Sequence, residues 1–110
     1  MPIKELSIDL ETYCEVDLRK TGVYRYAEDD SFEILLIAVS IDRGPVTVYD
    51  LTKENFPDQV LKALVYDNFI KWAFNGSFER ICLSNWLTKH HPKLLSEGFL
   101  SPNSWRCSMV

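Results

Sequence analysis

The sequence predicts a mixed α/β domain, a sheet with helices packed on it, and three observations carry that prediction. Residues 4–10 (KELSIDL) alternate polar and apolar as a half-buried strand does. Residues 32–42 (FEILLIAVSID) form a nearly continuous apolar and β-branched run. Two later stretches, 54–67 and 77–90, repeat their apolar positions at helical spacing.

Taken in order, the first strand places Leu6, Ile8 and Leu10 on one face and Ser7, Asp9 and Glu11 on the other. Residues 11–31 (ETYCEVDLRKTGVYRYAEDDS) have no clear period and read as a long loop, a feature more often functional than not inside a compact domain. The run 32–42 reads as a strand buried on both faces. Asp42-Arg43-Gly44-Pro45 is a turn, and VTVYDL after it is a third strand that closes a hairpin. Phe56, Val60, Leu61, Leu64 and Val65 mark a helix over Glu54–Asp67, and FIKWAFN (69–75) is a fourth strand. The next helix carries Phe78, Ile81, Cys82, Trp86 and Leu87 on one stripe, and SPNSWRCSMV (101–110) reads as a fifth strand. The resulting order, β-β-β-α-β-α-β, calls for a mixed sheet. The last strand ends on Trp105, Met109 and Val110, apolar and uncapped, as a fragment would.

Composition narrows the function classes. A chain of 110 residues holds one domain, 1–110, and its 46% hydrophobic and 25% charged residues are ordinary for a globular protein. No apolar run approaches the ~20 residues of a membrane span and no signal-peptide pattern opens the chain, so the expectation is a cytoplasmic protein. Cys14, Cys82 and Cys107 are an odd set without metal-ligand spacing and read as reduced, mostly buried thiols. A net charge of −4 argues against an extended basic DNA-binding surface. It leaves open a nucleic-acid enzyme that meets phosphate through divalent metal and a few basic residues.

The carboxylates are the chemical signal. Asp9 and Glu11 lie about 6–7 Å apart on one strand face, where like charges repel unless water or a cation lies between them. That face is either simply wet or a metal face. The second stretch, WAFNGSFER (72–80), takes a strand through a turn into a helix that opens with Phe78 and Glu79. If that strand runs parallel to the first, both C-terminal ends open on the sheet edge where α/β folds hold ligands. Asp9, Glu11 and Glu79 would then converge as a site for hard cations, which prefer oxygen ligands.

IDLET at 8–12 followed by NGSFE at 75–79 resembles the first two motifs of the DnaQ-like 3′–5′ exonucleases, which have a ribonuclease H-like fold. The segments DLRKTGVYRYAED and WRCSM extend the likeness over essentially all 110 residues, toward the exonuclease domain at the front of phage-type family A DNA polymerases. The resemblance implies that Asp9, Glu11 and Glu79 hold divalent metal, Mg²⁺ or Mn²⁺, with two ions in a complete domain. It implies that Thr12 contacts the terminal nucleotide, that Asn75 and Phe78 belong to the second motif, and that the mechanism is two-metal phosphodiester hydrolysis. The implied partners are single-stranded DNA or a DNA 3′ end and a polymerase domain in the parent chain, phage or prophage encoded. Two departures stand out. Glu79 replaces the usual Asp, and the family's third motif, which carries a final Asp on a late helix, has no counterpart in these residues. The expectation is therefore an N-terminal piece whose later helices are missing, weak or inactive by itself.

Each of these residues also has a plainer reading. Glu79 in a first helical turn complements the helix dipole, and Asn75 or Ser77 can serve as an N-cap. Tyr24 and Tyr26 either pack or stack a base of a single strand. Trp72, Trp86 and Trp105 read as core. His90-His91 sits where a cation favours a helix's negative pole, and Asp29-Asp30 is a solvated turn. The second functional class is a non-catalytic ribonuclease H-like domain, structural or nucleic-acid-binding. An exposed final strand and apolar tail near Trp105, Met109 and Val110 would favour a homodimer.

Overall fold

The computed structural model describes residues 4–66, 68–74, 76–95 and 98–107. Strand β1 (Glu5–Tyr13) is followed by two short helices, α1 (Leu18–Thr21) and α2 (Val23–Glu28). The hairpin β2 (Glu33–Ile41) and β3 (Val46–Asp50) leads to α3 (Asp58–Val65), β4 (Ile70–Ala73) and α4 (Gly76–His90). A 3₁₀ turn, Pro102–Ser104, then delivers β5 (Trp105–Cys107). The strands form one five-stranded sheet in the order β3-β2-β1-β4-β5. β1 is antiparallel to β2 and parallel to β4, and β4 is parallel to β5. This mixed sheet with its helices is compatible with the ribonuclease H-like α/β class expected above.

The covered face of the sheet is the one that the alternation of β1 selects. Leu6 and Ile8 are buried with Ile34, Ile37 and Val39 of β2 and Ala73 of β4. Val60, Leu61 and Leu64 of α3 and Ile81, Cys82, Leu83, Trp86 and Leu87 of α4 close over them as a single core. The hairpin turn that sets the register of β2 and β3 uses Asp42 and Arg43 with φ of 50° and 63°, an unusual demand on residues other than glycine. The Asp42 carboxylate holds the turn by accepting from the backbone N–H groups of Lys4 at 2.8 Å and Glu5 at 2.9 Å.

Several expectations need correction. Residues 11–31 are not a loop: β1 runs on to Tyr13, Asp17 caps α1 by accepting from Arg19 N, and Gly22 at φ 81° separates α1 from α2. Hydrophobic period could not reveal helices of 4 and 6 residues, because each presents barely one turn. β2 is not buried on both faces; Leu36, Ala38 and Ser40 are only half-buried, and the described helices contribute their buried residues to the other face. Helix α4 carries more than one apolar stripe. Ser84 is fully buried as well, donating to the Arg80 carbonyl and accepting from Leu100 N at 2.9 Å, so the 98–101 segment covers the Ser84 side of the helix.

Two tryptophans are core and one is not. Trp86 and Trp105 are buried, while Trp72 is 36% exposed and its neighbour Lys71 is 0% exposed. The register explains the inversion: Lys71 pairs with Leu6 on the covered face, and Trp72 pairs with Ser7 on the open one. Burying an ammonium requires partners. Lys71 Nζ donates to the Tyr66 carbonyl at 2.8 Å and to Ser104 Oγ at 2.6 Å, and lies 5.9 Å from the centre of the Trp105 ring. Trp105 at 8% exposure is therefore not part of the exposed apolar surface expected there, while Met109 and Val110 lie outside the described residues. β5 is an edge strand, as expected, though only three residues long. Among the described residues no helix is long and apolar enough to cross a membrane.

Candidate active site at the end of the first strand

The parallel pairing of β1 and β4 sets Ile8 opposite Ala73, so the C-terminal ends of both strands open on one edge of the sheet. Asp9 and Glu11 leave β1 on its open face and are exposed. Among the described residues neither carboxylate has a hydrogen-bond or ion-pair partner. Helix α4 starts at the same edge, three residues beyond the end of β4, and its first turn carries Glu79.

Glu79 sits in a different environment from the pair. It is 5% exposed and its charge, after burial itself, helps push the Cys82 thiol up to about 12, with Cys14 a smaller contributor. That places the Glu79 carboxylate on the covered side, in electrostatic reach of Cys82. Among the described residues no three His, Cys, Asp or Glu side chains gather closely enough to hold a metal ion. Asp9, Glu11 and Glu79 thus share one sheet edge without forming a closed ligand set. The donor chemistry of Asp9 and Glu11, two exposed hard-oxygen groups without partners, suits a divalent cation such as Mg²⁺ or Mn²⁺.

Between the two sides lies a contact that no periodicity announced. The register of β1 on β2 shifts between Glu11 and Thr12, from Glu11 opposite Leu36 to Thr12 opposite Ile34. Thr12 stays on the covered side, half-buried, and its hydroxyl meets the Tyr26 hydroxyl at 2.9 Å. Tyr26 is 8% exposed, with its ring 5.6 Å from Phe32 and 6.3 Å from Phe78. A ring packed this way cannot stack a base, which corrects the single-strand reading for Tyr26. Tyr24 is exposed and its ring meets Phe99 edge-on at 5.4 Å. Cys14, two residues after Thr12, donates its thiol to the Tyr26 carbonyl at 3.4 Å, so both ends of α2's aromatic anchor hold β1. Asn75 lies outside the described residues. No sequence signal marked Tyr26 as an anchor: its burial beside Ala27 is visible only once α2 is in place.

At the far end of α4, the His90 and His91 rings lie 5.5 and 5.0 Å from the Trp86 ring. Burial lowers the His90 pKa, with the Glu33 carboxylate acting in the opposite direction.

The chain is 44% identical over 109 residues to the DNA polymerase of Bacillus phage SP02. The alignment covers 98% of this chain and 15% of that polymerase, so the chain spans about a seventh of its relative's length. No protein-family model matches the chain, and no solved structure matches it.

Proposed function

We propose that this chain forms the carboxylate-bearing part of a 3′–5′ exonuclease associated with a DNA polymerase, acting on single-stranded DNA or a DNA 3′ end. The observation that carries the reading is the pair Asp9 and Glu11, exposed on the open face of a central strand and, among the described residues, without partners. Leaving two carboxylates two positions apart on one strand face costs repulsion that a cation would relieve. The likeness to a phage DNA polymerase supports the polymerase association.

In this reading Asp9 and Glu11 hold divalent metal, and Glu79 completes the set after a local rearrangement at the start of α4. When bound, the ions lower the pKa of a water and stabilise the attacking and leaving oxygens of a phosphodiester. The protein supplies the fixed strand edge that orients the carboxylates. Phe78, at the start of α4, would take the second motif's substrate role at the same edge, and the resemblance gives Asn75 the same role. Because the third motif has no counterpart among these residues, the chain by itself should bind metal weakly and cleave at background rate.

A second reading has its own support. Three acids that do not gather into a ligand set suit a non-catalytic domain of the same fold, with a structural or nucleic-acid-binding role. Calorimetric titration of Mn²⁺ into the wild-type chain and into Asp9→Ala separates the two. Weak binding that Asp9→Ala abolishes is the expected result. Equal heats for both chains would remove the metal reading and leave the non-catalytic one.

A further inference from the structure

We infer that Tyr26 is a positioning residue for this metal site, acting through its hydroxyl on Thr12 and through its ring on Phe78; the inference rests on the metal reading above. The two motif acids belong to different elements, Glu11 to β1 and Glu79 to α4, and lie on different sides of the sheet edge. Tyr26 touches the immediate neighbour of each. Its hydroxyl meets Thr12 Oγ1 at 2.9 Å, one residue after Glu11, and its ring lies 6.3 Å from Phe78, one residue before Glu79.

The position of the bond gives it leverage. Glu11 pairs with Leu36 of β2, but the ladder shifts at the step from Glu11 to Thr12. The β4 pairing of β1 stops at Ile8, so the strand around Glu11 is held on one side by an interrupted ladder. Beyond that step, the Thr12 hydroxyl bond and the Cys14 thiol contact tie β1 to α2. α2 is itself anchored by the burial of Tyr26 and Ala27. A hydroxyl pair in a half-buried setting is directional, so it constrains the strand's rotation as well as its distance. The Thr12 hydroxyl is thus engaged by protein, and through that bond it fixes Glu11.

The test measures Mn²⁺ affinity of the chain, by calorimetry or by loss of the free-ion paramagnetic resonance signal, with thermal unfolding followed in parallel. Tyr26→Phe keeps the ring and deletes the hydroxyl; Thr12→Val keeps the shape and deletes the partner; Thr12→Ser keeps the hydroxyl. Each deletion should weaken binding roughly tenfold, as loss of an outer-shell partner does. The double variant should be no weaker than either single one, because both remove the same bond. Thr12→Ser should bind like wild type, a rescue that a general loss of packing would not produce. Wild-type affinity in both Tyr26→Phe and Thr12→Val overturns the inference. So does a loss in Tyr26→Phe alone, since the bond would then have no part in it. An Asp9→Ala chain that still binds like wild type instead overturns the metal reading, and the inference falls with it.

Discussion

The two faces of β1 show how one strand can serve stability and chemistry at once. On the covered face Leu6 and Ile8 are sealed under α3 and α4, each apolar group removed from water. On the open face Ser7, Asp9 and Glu11 are exposed, beside Trp72 of β4 at 36% exposure and Phe74 just after it at 64%. The same backbone, paired with β2 along its length and with β4 as far as Ile8, carries both. The covered face supplies the free energy that holds the strand, so the open face can keep unpartnered carboxylates without unfolding it. Glu79 belongs to the covered side, and that difference in surroundings separates it from the acids it resembles in sequence.

The comparison can be broken by substitutions on either face. The largest effect should come from Leu6→Ala, which empties a fully buried site facing α4 and should cost about 2–5 kcal/mol. Urea denaturation measures it, and a cost under about 1 kcal/mol would mean that the covered face is not the stabilising one. The next effect concerns Cys82, at the centre of the covered side. Burial, and then the Glu79 charge, raise its thiol from 9.0 to about 12. The neutral thiol's contribution is therefore whole below pH 9 and is lost as the pH climbs from 9 through 12. Relative to Cys82→Ser, wild type should lose urea resistance over that window, and at pH 8 an alkylating reagent should label exposed Cys107 well before Cys82. The smallest effect should come from Val48→Thr on the open face of β3, where the side chain is 57% exposed. Its unfolding midpoint should stay within about 0.5 kcal/mol of wild type. A larger loss there would show that the open face is packed against something in solution.

Much of the fold was legible because the strands and long helices repeat their apolar residues with a defined period. The alternation in residues 4–10 is the alternation of burial observed in β1, and the helical spacing of Val60, Leu61 and Leu64 is the buried face of α3. The candidate acids were legible for a related reason. Positions i and i+2 of a strand share a face, so Asp9 and Glu11 had to stand together wherever β1 was placed. What failed was everything whose signal is shorter than one period. Helices α1 and α2 give too few residues for a pattern, and with them the Tyr26 to Thr12 bond escaped notice.

The sequence by itself determined the order of the five strands and the two longer helices, and the shared face of Asp9 and Glu11. The parallel pairing of β1 with β4 was only a condition until the strands were placed. Only the tertiary structure decided which face each remaining residue took. Lys71 is buried and Trp72 exposed, against their ordinary preferences, because pairing with Leu6 and Ser7 fixed the side to which each points. Glu79 is drawn into the covered side because α4 is enclosed by the sheet, α2 and the 98–101 segment, a choice made by packing between elements far apart in the chain. A period is a local property that the chain carries with it. The register of one element against another is a compromise among all of them, and it exists only once they have met.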